Sequence, residues 1–253
     1  MRTSLAVIGI SIVLGMFVAA GLWRPETPAV TASREARPAS PEPSPAAQPE
    51  PGPPSAPTEP GAPSTPRQLF PPEDLPLLEG PDRELWQKPE LVMDTLRIAE
   101  GSKVADIGAG AGWFTIRLAR RVEQNGTVYA QDVQREMYIA ISRRVKRERL
   151  GNVKVILGSE DLPNLPQKVL DAVLAVDVYP EVSDRVTFLR SLAAALKPTG
   201  RIGIVNYKPG KGGPGPDSRV DSDSVIADAK KAGLHMLQPP LDLRYQYMIV
   251  LGP

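Results

Sequence analysis

Hydrophobic positions divide this 253-residue chain into three unlike stretches. Leu5 to Trp23 runs 19 residues without a charged side chain, between Arg2 and Arg24, and is long enough to cross a bilayer as a helix. Residues 25–67 carry no apolar periodicity. From Leu69 onward short apolar runs alternate with stretches of helical period, which predicts a parallel sheet covered on both faces. Pro89 to about Ala99 reads as a helix opened by its proline, with Leu91, Val92, Leu96 and Ile98 as apolar surface. Val104 to Ile107 follows as a strand, Thr115 to Val122 as a helix stopped at Asn125-Gly126, and Thr127 to Ala130 as a second strand. Arg135 to Leu150 is a basic amphipathic helix with Met137, Ile141 and Val145 inward, followed by a strand at Val153 to Leu157. Ala172 to Val176 is continuously apolar, as a strand buried on both faces should be. Ser183 is placed to cap a helix whose Val186, Leu189, Leu192, Ala193 and Leu196 share a face, ended by Lys197-Pro198-Thr199-Gly200. Arg201 to Tyr207, a glycine- and proline-rich loop at Lys208 to Pro216, a helix at Ser222 to Ala232, and strands at His235 to Leu237 and Tyr247 to Leu251 complete the domain, the last two antiparallel to each other.

Composition sharpens the boundaries. Sixteen of the 29 prolines lie between Pro25 and Pro72, and residues 25–67 hold too little apolar surface to offset the entropy of ordering, so they are expected to be a disordered tether. Residues 1–24 read either as an uncleaved membrane anchor or as a signal peptide, since Val18-Ala19-Ala20 offers small residues for a cleavage site. Residues 68–253 are the folded domain. An anchor makes the protein membrane-associated, and a cleaved signal makes it exported. Arg24, Arg34 and Arg37 after the apolar stretch outnumber Arg2 before it, which by the positive-inside rule leans toward a cytoplasmic domain. Basic residues (30) nearly cancel acidic ones (29), so no bulk field argues for nucleic acid as partner. With no cysteine and one histidine, His235, the chain has no disulfide framework, thiolate nucleophile or histidine metal cluster.

The residues with most chemistry in them are Asp106, Gly108, Gly110 and Gly112, a D-x-G-x-G-x-G run between an apolar strand and a helix. Glycines let the backbone turn tightly and approach a ligand, while amides at the next helix N-terminus face it. A dinucleotide fingerprint would need glycine at position 113, and the chain has Trp113. The alternating glycines with an acid ahead of them suit a ligand carrying an amino acid group and no pyrophosphate. Asp132, 24 residues after Gly108 and just past the second strand, is placed to accept hydrogen bonds from both ribose hydroxyls. Its structural alternative is a charge at the start of the next helix.

Val104 to Thr115, Tyr129 to Asp132, Asp171 to Leu174, Leu196 to Arg201 and Tyr245 to Leu251 together resemble a class I S-adenosylmethionine (SAM)-dependent methyltransferase. The resemblance implies a Rossmann-like doubly wound α/β sheet of seven strands in the order 3-2-1-4-5-7-6, strand seven antiparallel, with SAM as cofactor and a methyl acceptor of unidentified class. It places Asp106, Gly108, Ala109, Gly110, Gly112 and Trp113 at the cofactor loop, Asp132 on the ribose, Ser159, Glu160 and Asp161 by the adenine, and Asp177 after strand four, where cofactor and acceptor meet. The chain departs from the family in having Gly158-Ser159-Glu160-Asp161 where relatives carry an Asp-Ala pair, and Pro180 where a histidine is common. No general base is assigned. Tyr179, Glu181 and Lys208 are candidates for shaping an acceptor pocket, and Trp86 and Trp113 for walling it. A non-catalytic binding domain of an exported or anchored protein is the alternative from another class, and a nicotinamide oxidoreductase is more distant.

Overall fold

Parallel strands buried on both faces organise the domain in a computed structural model that describes residues 71, 79–159, 163–210, 212, 213, 215 and 218–253. The apolar segment 1–24 and the tether 25–67 lie outside the described residues, among which no helix is long and apolar enough to cross a membrane. The elements are α1 (Arg83–Gln87), α2 (Pro89–Thr95), β1 (Lys103–Ile107), α3 (Trp113–Val122), β2 (Thr127–Asp132), α4 (Arg135–Arg147), β3 (Val153–Leu157), β4 (Leu170–Val176), α5 (Arg185–Ala195), β5 (Leu196–Tyr207), α6 (Ser222–Ala232), β6 (His235–Met236), β7 (Leu241–Asp242) and β8 (Gln246–Gly252).

The sheet runs β3-β2-β1-β4-β5-β8-β6, the expected order once β8 is read as the seventh strand of the family pattern. β1 to β5 pair in parallel, and β8 is antiparallel to both β5 and β6. An eighth strand, the two-residue β7, pairs with β8 and was not expected, because two residues carry no readable period. Alternation along each strand sends side chains to two cores. Val104, Val128, Leu174, Val205 and Met248 pack under α2 and α3, while Ala105, Val173, Ile204 and Ile249 pack under α5 and α6. Helix α4 covers the β2 end of the first face through Ile141 on Ala130.

Several boundaries differ from the sequence-based expectation for local reasons. Helix α2 opens at Pro89 as expected, behind an additional short helix α1 and the αL residue Lys88 (φ 49°), but it ends at Thr95, where Arg97 (φ 57°) turns the chain, so Ala99 lies beyond it. Helix α3 begins at Trp113, earlier than Thr115, directly on the αL turn of Gly112. Helix α4 stops at Arg147, short of Leu150. The cap of α5 is Asp184, whose carboxylate accepts from the Thr187 N–H at 3.0 Å, and Ser183 lies one residue outside the helix. Leu196 already pairs with Leu170, which makes it the start of β5 and removes it from the helix. His235 sits exposed on the edge strand β6, which ends at Met236 and not at Leu237.

Candidate functional site

The carboxyl ends of β1, β2 and β4 meet at one edge of the sheet, where open α/β sheets hold their ligands. Between β1 and α3, Gly108, Gly110 and Gly112 have φ of 63°, 54° and 82°, a conformation that side chains with a β-carbon adopt only under strain. At Gly108 a β-carbon would also sit well inside the van der Waals radius of Val178 Cγ2, so the loop passes against the strand-four turn with no room for one. Ala109 donates its N–H to the Gln131 carbonyl at 3.0 Å, and Gly112 to that of Ala109 at 2.8 Å. The loop is therefore anchored to the end of β2.

Asp132 makes that anchor stronger. Its Oδ2 accepts from the Gly110 N–H at 2.9 Å and its Oδ1 from the Gln134 N–H at 3.0 Å. Gln134 caps α4, so the helix-start role considered from sequence and a place beside the glycine loop coexist in one carboxylate. Burial raises its pKa, and the three backbone N–H bonds to it from Gln134, Gly110 and Val133 work in the opposite direction. With three of about four lone-pair sites used, the carboxylate keeps acceptor capacity for a ligand hydroxyl.

Two further acids stand at the ends of β1 and β4. Asp106 is 3% exposed, and desolvation pushes its carboxyl up to about 7 against the opposing hydrogen bond from Thr115 Oγ1 (2.6 Å) and the charge of Arg83. Asp177 sits in αL (φ 59°), its N–H bonded to the Val205 carbonyl at 2.8 Å. It keeps some surface open to solvent, yet desolvation pushes its carboxyl up to about 7 too, with Arg83 the largest opposing influence. Arg83, on α1, is drawn toward both carboxylates while burial lowers its own pKa. Its guanidinium lies 4.3 Å from the centroid of the Trp113 ring, and that of Arg117 lies 3.6 Å from the same ring.

A buried chain of amides closes the arrangement. Arg83 Nε donates to Gln87 Oε1 (2.6 Å), Gln87 Nε2 to Gln246 Oε1 (2.9 Å), and Gln246 Nε2 to both oxygens of Asp177 (3.0 and 2.8 Å). Gln87 and Gln246 are fully buried, so α1, β4 and β8 are locked together at this edge. Sequence reasoning missed Arg83, Gln87 and Gln246. The first two stand on a five-residue helix with no period of its own, and only the cluster Arg83-Glu84-Leu85-Trp86-Gln87 ahead of Pro89 hinted at them.

Other expected residues separate. Trp113 is buried in the core under α3, edge-on to Phe114 at 5.0 Å, and serves the site by carrying Arg83 on its ring. Trp86 packs against Tyr207 and Tyr245 at centroid distances of 6.0 and 5.8 Å. Ser159 is exposed past the end of β3, and Glu160 and Asp161 fall outside the described residues. Tyr179 is not at an open pocket. It is fully buried and donates to Asp228 at 3.1 Å, with Glu181 on the same 3-10 turn. Lys208 is tied to β7 and its neighbour through Asp242 (2.5 Å) and the Leu243 carbonyl. Asp171 lies at the opposite end of β4 from the site, bonded to Lys103 N and Lys197.

Residues 104–200, which contain the loop and all three acids, match the methyltransferase domain family. The chain is 30% identical over 148 residues to a protein-L-isoaspartate O-methyltransferase of Methanothrix thermoacetophila, covering 54% of this chain and 68% of that one. The chain belongs to the class I SAM-dependent methyltransferases. A solved SAM-dependent methyltransferase from Aquifex aeolicus superimposes with a TM-score of 0.68 at 29% identity, over 72% of this chain and 98% of that one. A demethylmenaquinone methyltransferase of Geobacillus is 30% identical over 113 residues, 45% of this chain and 48% of that protein. The chain spans about half the length of such quinone-modifying relatives. Within this methyltransferase fold, three carboxylates and one guanidinium converge on a loop that has no room for a β-carbon at Gly108. Those residues fit SAM, whose methionine end carries one carboxylate and two positive centres.

The pH dependence of this methyltransferase domain should report Asp106. With a carboxyl near 7 in the folded chain and an ordinary value when unfolded, Asp106 favours folding while protonated, and that contribution is lost progressively from the ordinary carboxylate range up to about pH 7, above which it changes no further. In thermal melts from pH 5 to pH 8 the ligand-free protein is expected to lose on the order of a few kcal/mol relative to Asp106→Asn. Parallel profiles for the two proteins would contradict this. Since a bound cation favours the ionised acid, SAM affinity should rise over the same range, with protons released on binding below pH 7.

Proposed function

We propose that this protein transfers a methyl group from SAM to an acceptor, holding SAM with Asp132 at the ribose, Asp106 and Asp177 toward the ammonium and sulfonium end, and Arg83 on the amino acid carboxylate. The observation that carries this reading is Arg83, seated over the Trp113 ring and linked through Gln87 and Gln246 to the half-buried Asp177, with its charge acting on that acid and on the buried Asp106. In the free chain the guanidinium offsets both carboxylates. When ligand charge of their own sign preference reaches the acids, Arg83 is released to meet the ligand carboxylate, in the fork geometry arginine suits.

SAM when bound supplies a methyl group activated by positive sulfur. The chain's contribution is positional. Its glycine loop, braced on Asp132, fixes one end of the donor, and the Gln87–Gln246–Asp177 chain fixes the turn after β4. Methyl transfer is an in-line displacement that gains most from holding the two reacting atoms at near-attack distance, so it proceeds without an assigned base.

Residues 1–24 are proposed to bring the domain to a membrane, with 25–67 as tether; the uncharged stretch Leu5 to Trp23 supports this, and the excess of arginines after it supports a cytoplasmic domain, where SAM is supplied. The test of the site is a pair of titrations of the full chain, with SAM and with methylthioadenosine, which lacks the amino acid group. Arg83→Met should weaken SAM about 10- to 100-fold and leave methylthioadenosine nearly unchanged. Equal losses for both would remove Arg83 from the carboxylate, and no SAM binding by the folded wild type would sink the whole reading. Methyl incorporation from labelled SAM into a lysate, with and without the protein, then identifies the acceptor class.

A further inference from the structure

We infer that the outer face of α4 with the edge strand β3 is a docking surface for an anionic lipid bilayer. Residues 135–154 contain seven basic side chains (Arg135, Arg143, Arg144, Lys146, Arg147, Arg149, Lys154) against two acids, Glu136 and Glu148, a local excess of five in a chain whose net charge is +1. The inner face of α4 is spoken for. Met137 and Ile141 are buried, Arg144 pairs with Glu79, and Glu148 is held by Arg120 at 3.1 Å.

The six remaining cations stand apart from any carboxylate partner among the described residues. Arg135, Arg143, Lys146, Arg147, Arg149 and Lys154 are all exposed and none is engaged in an ion pair; the first five belong to the α4 side, while Lys154 lies over the Tyr129 ring on the other face of the sheet. On a helix, positions 135, 139, 143 and 146 fall within about 80° of one another, so Ile139 stands among the cations. Ile139 (36% exposed) and Leu157 (42% exposed) border a shallow groove of about 350 Å³ lined also by Arg135, Tyr138 and Val155. Among the described residues strand β3 ends the sheet and pairs with β2 alone, with the inner face of α4 packed on its Val153 and Val155.

Cations with aliphatic side chains between them fit a surface that offers both negative headgroups and acyl chain, and long basic side chains reach the headgroups while their stems lie on apolar surface. Nucleic acid would use the cations but leave Ile139 and Leu157 without a role. The chain's own uncharged stretch at Leu5 to Trp23 argues for the bilayer as the occupant. Attraction of juxtamembrane basic residues to an anionic leaflet is strong enough for a cluster of this size to hold an already tethered domain down. This surface adjoins the carboxyl ends of β2 and β3, so docking would set the site at a defined height above the lipid. The inference is independent of whether SAM binds.

The absence of cysteine makes the experiment clean. Full-length chains carrying Ile139→Cys or Met236→Cys, the latter on the opposite sheet edge at β6, are labelled with an environment-sensitive fluorophore and reconstituted in vesicles containing spin-labelled lipid. With phosphatidylglycerol present, the label at 139 should be quenched and that at 236 should not. Pure phosphatidylcholine or high salt should abolish the quenching. Combining Arg143→Glu, Lys146→Glu and Arg147→Glu should lower the docked-to-free ratio on the order of 100-fold, with the melting temperature and SAM affinity unchanged. Quenching at 139 that is absent with phosphatidylglycerol, or equal in neutral lipid, overturns the proposal. So does a triple variant that loses retention of RNA or DNA while keeping its lipid contact. If the triple variant fails to fold, Arg143→Glu alone and the salt dependence decide the matter by the same criteria.

Discussion

Asp132→Ala is expected to weaken SAM binding by about 100-fold or more, because one carboxylate does two jobs. It holds the Gly110 and Gln134 amides at 2.9 and 3.0 Å, and it presents its remaining acceptor capacity where a ribose would lie. Hydrogen bonds to a charged group contribute about 1.5–3 kcal/mol each, so losing even one to a ligand costs roughly 10- to 150-fold before any loosening of the loop is added. Asp132→Asn should fall between, since its amide keeps one acceptor oxygen and replaces the other with a donor that cannot face a backbone N–H. Calorimetric titration of the folded variants is the measurement. An affinity within threefold of wild type for Asp132→Ala would show that this residue only caps α4 and braces the loop.

The second large effect is expected at Gly108, in stability as well as binding. Alanine there must keep φ at 63° and place its methyl against Val178 Cγ2 at the same time. The αL conformation alone costs a non-glycine residue about 1 kcal/mol, and overpacking adds about 1–3 kcal/mol. A lowered melting temperature with loss of SAM binding is therefore expected for Gly108→Ala. Adding Val178→Ala removes the steric part and leaves the backbone part, so the double variant should recover some of the stability lost. If the two substitutions simply add, Val178 is not what excludes a β-carbon at position 108.

These two residues were visible in sequence, and the reason is the same for both. A glycine in αL and an acid at the end of a strand are local requirements, set by the backbone and the few residues on either side, and local requirements leave a spacing that can be read. The alternating strands and helices from Val104 to Leu251 were legible on the same ground, since burial on both faces makes near-continuous apolar runs. Where a helix ends, or which of Ser183 and Asp184 caps it, depends on dihedral angles that neighbouring residues share almost equally, and there the spacing misled by a residue or more.

Arg83, Gln87 and Gln246 were invisible for the opposite reason. Their meaning is a contact across 159 positions, from Gln87 to Gln246, and a glutamine gives no sign in sequence of whether it will be buried. Tyr179, a plausible acceptor contact by position, is turned inward by the 3-10 turn and sealed against Asp228. The glycine loop and its acids thus belong to what a short run of residues can specify alone. The charge that balances those acids, and the rigid link from α1 to β8 that presents it, exist only once distant segments pack side by side and exclude water, because that is when an unpaired polar group becomes costly enough to demand a partner.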